Sequence, residues 1–315
     1  MSALLAALNI LVFPGLVFVL VLGLAGQFVD RKLHARLQNR VGPPWFQPVA
    51  DLFKLLGKEA VVPEEADRRM FVMAPVFALA AAIAAFLYVP LWNARPVFSF
   101  DYDLVVVLYL LLIPTLTFFL GGWYSRSVFS TIGAVRSITQ LFAYEIPLLV
   151  GLLSPALLAD TWSISGMAAF YQAHPWYWLV NLIGFGVCLV SLLGKLERVP
   201  FDAPEAETEI VAGSFTEYSG RYLALFRMAV DTEAIVASSL MAAVFLPFGL
   251  GLPAWLGFLV YLAKVGAILF ALALLRTVFA RLRIDQIVDF CWRWVAPIAF
   301  LQVIIDLVAK EFLPR

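Results

Sequence analysis

Residues 197–220 read ERVPFDAPEAETEIVAGSFTEYSG. This stretch contains six carboxylates and, between the first and the last of them, a single base, Arg198. The carboxylates are Glu197, Asp202, Glu205, Glu207, Glu209 and Glu217. Long apolar segments precede and follow the stretch, so the charge is confined to one loop, residues 196–221. Such dense negative charge beside apolar segments predicts a loop at a membrane surface that contacts a partner or takes part in ion movement.

The composition indicates that the solvent of this chain is a lipid bilayer. Of the 315 residues, 63% are hydrophobic and 14% are charged, and the mean hydropathy is +0.92. An ordinary globular domain has about 25% charged residues. The formal net charge is zero, which provides no overall field for binding nucleic acid. Because the apolar segments are spread evenly, we predict one polytopic membrane domain over residues 1–315.

Eight apolar segments have about the length that a helix needs to cross a bilayer, roughly 20 residues. They are residues 8–28, 71–91, 104–122, 138–158, 176–195, 222–248, 253–275 and 291–308. We therefore predict an all-α integral membrane protein with about eight transmembrane helices. The first segment has no basic residue before it, which favours a retained span over a cleaved signal peptide.

The basic residues are divided unequally between the two sides that eight spans define. Eighteen lie in the loops or the adjoining span ends on one side, three lie on the other, namely Arg95, Lys310 and Arg315, and Lys264 falls within a span. Basic residues accumulate on the cytoplasmic side of membrane proteins. The sequence therefore predicts a cytoplasmic acidic loop and both termini outside.

The loop at residues 29–70 contains a segment, WFQPVADLFKLLGKE at 45–59, that is too short and too polar to span. Gln47, Asp51, Lys54 and Lys58 are spaced four, three and four residues apart, which places them on one helical face. Apolar residues fill the rest of the segment. We predict an amphipathic helix that lies flat along the cytoplasmic interface; the alternative is a buried helix in a small soluble insert.

The sequence predicts no metal, haem or catalytic site on this chain. The two cysteines, Cys188 and Cys291, are far apart, and there is no Cys-x-x-Cys motif for iron–sulfur or nickel–iron ligation. The two histidines, His34 and His174, do not form a spaced pair within one span, which a membrane b-type haem would need. We interpret all four as packing or surface residues.

Within the acidic loop, Asp202-Ala-Pro-Glu205 resembles a helix start, with Asp202 as the cap and Glu205 at the capping-box position. In the predicted helix, Glu205 and Glu209 are one turn apart on one face, where like charges repel. If that face is partly buried, the pKa of at least one of these carboxyls should be raised, and such a group can take up and release protons. A solvated acidic loop that docks a basic partner explains the same residues.

Ionisable residues inside predicted spans are expensive and usually functional. They are Glu145, Asp231, Glu233 and Lys264. An ion path and structural ion pairing both explain them, and Arg227 is placed to pair with Asp231 four residues later. Asp306, near the outer end of the last span, is expected at the interface. The last cytoplasmic loop, residues 276–286, is basic and either neutralises the acidic loop, binds a partner or is ordinary positive-inside charge.

Three stretches of the chain resemble one family. The first runs from Asp30 through RLQNRVGP at 36–43 to QPVADLFKLLGKE at 47–59. The second is PFDAPEAETEIVAG at 200–213 with EYSG at 217–220, and the third is RLRIDQ at 281–286, after Arg276. They are similar to the membrane subunit that joins the two arms of respiratory complex I, called subunit one or the H-type subunit, and to its counterparts in energy-converting nickel–iron hydrogenases.

The resemblance implies an all-helical, non-catalytic subunit of an oxidoreductase complex in a prokaryotic cell (inner) membrane. The expected partners are the bilayer, soluble hydrogenase-like large and small subunits, an iron–sulfur ferredoxin-like subunit and antiporter-like membrane subunits. Iron–sulfur clusters and a nickel–iron centre are then expected on those partners, not on this chain. Glu145 matches the family's intramembrane glutamate, and Glu205, Glu207 and Glu209 match its acidic loop.

The candidate residues fall into two groups. For ion movement and coupling, we expect Glu145, Asp202, Glu205, Glu207, Glu209, Glu217, Asp231, Glu233 and Lys264. For the partner interface, we expect Arg36, Arg40, Asp51, Lys54, Lys58, Glu59, Arg276, Arg281, Arg283 and Asp285.

Two departures from the family pattern bear on the type of complex. The turn GPPWF at 42–46 leads straight into the surface helix, whereas quinone-reducing members have a longer insertion there, so the sequence favours a hydrogenase-type, ferredoxin-linked complex. Asp231 would also have to replace a glutamate near position 230. The nearest alternative is the quinone-binding subunit of a complex I-type NADH/quinone oxidoreductase. From another class, a stand-alone secondary ion transporter would have internal repeats, which are not evident here, and a passive membrane anchor is the third alternative.

Overall fold

The computed structural model describes residues 3–93 and 95–312, with side chains for all of these except residues 3–6 and 207–208. Within that part of the chain, every regular element is a helix. The α-helices are α1 (Ala3–Leu11), α2 (Leu16–Leu37), α3 (Gln47–Gly57), α4 (Arg68–Phe86), α5 (Asp103–Tyr124), α6 (Val128–Ala159), α7 (Ile164–Ala173), α8 (Leu182–Lys195), α9 (Glu207–Ile210), α10 (Gly220–Phe245), α11 (Ala254–Val278), α12 (Ile284–Phe290) and α13 (Ala296–Phe312). Two 3₁₀ segments, Pro175–Leu179 and Gly213–Phe215, and one π-helical segment, Cys291–Val295, complete the set.

Six helices of the described chain are long and apolar enough to cross a membrane, which confirms the predicted all-α membrane class. They contain α2, α4, α5, α6, α10 and α11. The other two predicted spans are composite. The fifth consists of the segment Pro175–Leu179 followed by α8, which has only 14 residues. The eighth consists of α12, the π-helical segment and α13 in direct succession.

Helix α6 begins ten residues before the predicted span at 138–158, and it has 32 residues. At 1.5 Å per residue it is about 48 Å long, well over the roughly 30 Å of hydrocarbon in a bilayer. Its first turns therefore project beyond the apolar layer. They include Ser130, Ser137 and Arg136, which face the acidic loop rather than lipid. Hydropathy alone missed this part of the helix because polar residues interrupt its apolar ones, as in VFSTIGAVRS at 128–137.

Helix α10 forms the centre of the bundle. All residues from 231 to 245 are buried, and α10 packs against α2, α4, α5, α8 and α11. Glycines on α2 allow close approach, because a Cβ at Gly26 would lie 2.6 Å from the Ile235 side chain. Any ionisable residue in this part of α10 therefore points into the protein interior.

The predicted amphipathic helix is confirmed as α3, two residues shorter at each end than the segment 45–59. Asp51 on its polar side accepts a hydrogen bond from Arg31 on α2 at 2.8 Å. Val49, Phe53 and Leu56 are exposed on another side, with Phe53 68% exposed. The spacing of four and three residues makes these three an apolar stripe. Its position flat on the membrane interface stays a prediction.

The predicted helix starting at Asp202 is wrong. The acidic loop instead contains one helical turn, α9, between Ala206 and Val211, which both have positive φ angles of 34° and 63°. The segment Gly213–Phe215 then packs between α5 and α6. A Cβ at Gly133 of α6 would lie only 2.4 Å from the backbone nitrogen of Ser214, so this contact requires glycine.

Candidate functional site

A lysine that is almost completely buried, Lys195, ends α8 with 1% of its side chain exposed. Its Nζ lies 3.4 Å from Glu233 Oε1 on α10 and 3.9 Å from Glu145 Oε2 on α6. It also donates a hydrogen bond to the carbonyl oxygen of Leu111 on α5 at 2.7 Å. One cation is thus shared by two carboxylates from different helices. We call Lys195, Glu145 and Glu233 the buried triad.

A polar cavity of about 350 Å³, the inner cavity, extends from the acidic loop to the buried triad. Asp202 and Glu205 of the loop line it, and so do Lys195 and Glu233 of the triad. Its other charged lining residues are Asp30, Arg31, Glu197, Arg198, Arg227, Asp231 and Arg276. Acids and bases therefore share a single space between the surface and the membrane interior.

Asp30 near the end of α2 is held between two bases. It forms ion pairs with Arg198 of the acidic loop and with Arg276 of α11, the latter at 3.2 Å, and it is 3% exposed. Arg276, which the sequence placed at the partner interface, is therefore engaged inside the protein. The ion pairs of Asp30 with Arg198 and Arg276 connect α2, the acidic loop and α11 at the wall of the inner cavity.

The predicted pair between Arg227 and Asp231 is wrong, although both residues line the inner cavity. Arg227 instead binds Glu205 at 2.8 Å. Asp231 Oδ2 accepts a hydrogen bond of 2.6 Å from the side-chain amide of Gln27 on α2. The tight α2–α10 contact brings Gln27 to Asp231, and the folding of the loop brings Glu205 to Arg227.

Glu197 at the start of the acidic loop has the most strongly perturbed carboxyl outside the spans. Burial is the main cause that raises its pKa to about 8, and the nearby carboxylate of Glu205 raises it further. A hydrogen bond of 3.0 Å from Ser137 Oγ opposes the rise. At neutral pH this group holds a proton that a change in nearby charge can release.

Glu209, by contrast, is exposed and bound to bases. Arg136 donates to it at 2.7 Å, and Arg281 lies 3.5 Å away. The hydrogen bond from Arg136 is the main cause that lowers the pKa of Glu209. The expected raised pKa is therefore wrong at Glu209 and is found at Glu197. The contact of Arg281 shows that the basic loop neutralises part of the acidic loop.

Other predicted coupling residues lie apart from the triad. Lys264 on α11 donates hydrogen bonds to the carbonyl oxygens of Leu246 and Phe248, at 2.8 and 3.0 Å, at the end of α10. No carboxylate in the described chain lies within ion-pair distance of Lys264. Glu217 precedes α10 and does not line the inner cavity. The side chain of Glu207 lies outside the described residues.

Most predicted interface residues are on the surface of the loop side. The exposed ones are Arg36, Arg40, Lys54, Lys58, Glu59, Arg283 and Asp285. Asp51 is half-buried and bound to Arg31, and Arg281 is partly buried beside Glu209. Exposure makes the first set available to a partner, but the partner itself stays a prediction.

A second cavity of about 470 Å³, the interfacial cavity, lies between α2, α3 and α10. Its apolar lining includes Leu24, Leu52 and Leu55, and Lys54 and Lys58 add two ammonium groups. It shares four lining residues with the inner cavity, namely Gln27, Arg31, Arg227 and Asp231. A mixed lining of this kind suits an amphiphilic molecule.

The described residues contain no group of three or more His, Cys, Asp or Glu that could hold a metal ion. Cys188 and Cys291 are both buried and unpaired with each other. The expectation that redox cofactors are carried by partner chains stays a prediction.

Several residues of the site were not predicted from the sequence. From the sequence, Lys195 belongs to the ordinary loop-side charge, and no site role is predicted for Asp30, Glu197 and Arg198. One signal was present for Lys195, because it directly follows the apolar run LIGFGVCLVSLLG of α8 with no polar turn between them. Gln27 gave no signal, since its role depends on contact with Asp231, 204 residues away.

Six long apolar helices of the described chain, packed around interior ion pairs, define a multi-pass membrane protein. The chain belongs to the NADH dehydrogenase family, whose sequence model matches residues 8–307. It is 34% identical over 319 residues to the H-type subunit of the NADH-quinone oxidoreductase of Bacillus thuringiensis (strain Al Hakam), covering 96% of this chain and 95% of the relative. Identity to the corresponding protein of Carboxydothermus hydrogenoformans is 31% over 290 residues, covering 88% of this chain and 82% of that relative.

The fold is also similar to a chain in the structure of the membrane-bound sulfane sulfur reductase, an archaeal respiratory membrane complex. The TM-score is 0.85 at 25% sequence identity, and the match covers 97% of this chain and 100% of the other. Sequence and fold thus agree that the chain is a membrane subunit of a complex I-like redox complex. The predicted resemblance to this family is confirmed.

Proposed function

We propose that this chain couples electron transfer in soluble partner subunits to the movement of protons or sodium ions, as the membrane-arm subunit of a hydrogenase-type, ferredoxin-linked complex. The observation that supports coupling is the inner cavity, which joins the acidic loop to the buried triad. The short turn at residues 42–46 favours the hydrogenase-type branch, and the structural likeness to a chain of a membrane-bound sulfane sulfur reductase supports a subunit of a respiratory membrane complex. The partners would provide the iron–sulfur clusters and the nickel–iron centre.

The residues of the chain suggest how a charge change could travel. A partner docked on the acidic loop would alter the field at Glu205 and Glu197, and the proton on Glu197 would respond. Inside, Lys195 is shared by Glu233 at 3.4 Å and Glu145 at 3.9 Å. When a proton neutralises one of the two glutamates, Lys195 pairs with the other glutamate alone. An ion pair of this kind is strong where water is excluded. Lys195 then takes the role that the sequence assigned to Lys264.

The same proposal places the acidic loop in the cytoplasm and both termini outside, in a prokaryotic inner membrane. The exposed residues at the ends of α2 and α3 would contact the soluble subunits. The lipid-facing helices would contact antiporter-like subunits. One polytopic domain would span the whole chain, with the acidic loop and α3 as its cytoplasmic attachments.

Mutation of the triad tests the proposal in the assembled complex, reconstituted in liposomes and driven by reduced ferredoxin. Replacing Glu145 or Glu233 with Gln should lower ion uptake per electron several-fold while the complex still assembles. Lys264→Gln is the matched control, because Lys264 donates its hydrogen bonds to two carbonyl oxygens and forms no ion pair with a described carboxylate, so uptake should stay unchanged. If both glutamate variants assemble and translocate normally, the chain is a passive anchor.

A second candidate function is quinone binding. The interfacial cavity has an amphiphilic lining, and the curated relatives are subunits of NADH-quinone oxidoreductases. Extraction of the purified complex would then yield quinone in stoichiometric amount, and a quinone-site inhibitor would block turnover. If the complex contains no quinone and reduces none, quinone binding is rejected and the ferredoxin-linked function is the one that remains.

A further inference from the structure

A second set of buried polar groups lies in the membrane half opposite the acidic loop, which we call the far half. Asp306 on α13 accepts hydrogen bonds from Ser154 Oγ of α6 and, at 2.9 Å, from Gln302 Nε2. All three residues have 0% exposure. The sequence predicted Asp306 at the membrane interface, and its depth in the bilayer stays a prediction; the structure shows that α13 turns the residue toward α6 and buries it.

The hydrogen bonds continue into a closed ring. Gln302 Nε2 also donates to the carbonyl oxygen of Val180 at 2.9 Å. The next residue, Asn181, donates to the Tyr171 hydroxyl at 2.8 Å, which donates in turn to the carbonyl oxygen of Pro155 at 2.9 Å. Pro155 follows the serine that contacts Asp306, so the ring closes. Asn181 is 2% exposed, and its Oδ1 is a buried acceptor without a hydrogen-bond partner in the described chain.

The carboxyl group of Asp306 has no base in contact with it in the described chain. In this half of the helices packed around it, the titratable or charged groups are Tyr171 on α7, Cys188 on α8, Asp160 at the end of α6, and Lys310 and Glu311 on α13. The charged residue of α8, Lys195, lies at the other end of that helix. A permanent negative charge held only by neutral donors in an apolar interior is costly. A protonated carboxyl avoids that cost.

The geometry favours a proton over a metal ion. A sodium ion would need several oxygen atoms directed at it. Here both oxygens of Asp306 receive hydrogen bonds, from a hydroxyl and from an amide N–H, and the Gln302 Oε1 accepts from the backbone N–H of Gly184 at 3.2 Å. The amide N–H group of Gln302 occupies a position that a metal ion would need an oxygen ligand to fill, whereas the Ser154 hydroxyl can turn to accept a hydrogen bond from a protonated carboxyl.

An ion pair that reaches the surface lies one turn further along α13. Lys310 forms an ion pair of 2.8 Å with Asp160, which is 68% exposed at the far face. Four residues of helix separate Asp306 from Lys310, about 6 Å along the axis. Ser154, by contrast, lies nine residues from Glu145, about 14 Å along α6 and on the opposite side of that helix. The ring is therefore a separate site and not a continuation of the buried triad.

We propose that Asp306 is a proton-exchanging site of the far half that opens to the far face through the Lys310–Asp160 pair. The ring of Ser154, Gln302, Asn181 and Tyr171 fixes its carboxyl group. The site binds or releases protons on the side from which the acidic loop is absent. It does not depend on which redox partner docks on the other side.

Infrared difference spectroscopy of the assembled complex tests this proposal, because it reports protonated carboxyl groups directly. The spectrum should contain a carboxyl C=O band that Asp306→Asn removes and that shifts in D₂O. Glu311→Gln, which removes an exposed carboxyl on the same helix, should keep the band. Lys310→Gln should slow the shift in D₂O several-fold. If Asp306→Asn does not assemble, Ser154→Ala should move the band by removing one hydrogen bond.

Three results would overturn the proposal. They are the absence of a band assignable to Asp306 at every pH, a band that does not shift in D₂O, and a band that disappears when sodium is added at constant pH. If the carboxyl band of the Lys310→Gln complex shifts in D₂O as fast as that of the wild type, the route through the Lys310–Asp160 pair is rejected. None of these measurements requires electron transfer, and the band should be the same in the Glu145→Gln complex. Failure here is thus distinguishable from failure of the coupling function.

Discussion

Replacement of Glu197 by Gln should change how the stability of the complex depends on pH. Glu197 lies at the start of the acidic loop, where burial and the neighbouring Glu205 raise its pKa from 4.5 to about 8. Glutamine has nearly the same shape and keeps the polar contact with Ser137 but does not titrate. The variant therefore separates the effect of the proton from the effect of packing.

The magnitude follows from linkage between proton binding and folding. Between pH 4.5 and about 8 the folded state binds more protons than the unfolded state, so stability falls as the pH rises through this window. Each pH unit is worth about 1.4 kcal/mol, so ionisation of the folded state costs about 3 to 5 kcal/mol in total. On the same basis, about 2 to 3 kcal/mol of this loss falls between roughly pH 6 and pH 8. Above the folded pKa the loss is complete.

Thermal dissociation of the purified complex, measured from about pH 6 to pH 9, provides the assay. The wild-type midpoint should fall by several degrees relative to Glu197→Gln over this interval, and the two should converge near the acid end. Glu217→Gln is the control, because this carboxylate belongs to the same loop but does not line the inner cavity. Parallel pH profiles for wild type and Glu197→Gln would refute the raised pKa and, with it, the role of this proton in coupling.

Three further predictions concern the triad, the loop packing and the orientation. Lys195→Met should lower stability by about 3 to 5 kcal/mol because it leaves buried carboxylates without a cation, and adding Glu233→Leu should recover much of the loss in the same thermal assay. Gly133→Ala should impair assembly, seen as a reduced yield of intact complex on native gels, because its Cβ would lie 2.4 Å from the Ser214 backbone nitrogen. Cysteines introduced at Glu65 and Asp101 should react with an impermeant maleimide from the cytoplasmic and outer sides respectively, and labelling of both from one side would contradict the predicted topology.

Hydropathy and charge along the chain were sufficient to predict the membrane class and most of the helices. Apolar length is a local property, so the segment at 104–122 appears as α5 with only small changes at its ends. The same holds for α3, whose spacing of Gln47, Asp51 and Lys54 depends on one helix alone. The predicted acidic loop at 196–221 begins directly after the end of α8 at Lys195 and overlaps the start of α10 at Gly220.

Only the tertiary structure decided which charges meet. Lys195 and Lys264 are both lysines in apolar segments, yet one is shared by two carboxylates and the other binds helix-end carbonyl oxygens. The partner of Asp231 proved to be Gln27, far away in sequence, rather than the arginine one turn earlier. A charge in a low-dielectric interior is stabilised by the groups within a few ångströms, and those groups come from other helices. The sequence thus determined which membrane segments contain ionisable residues. The packing of α2, α6, α8 and α10 determined which of these residues come together in a site.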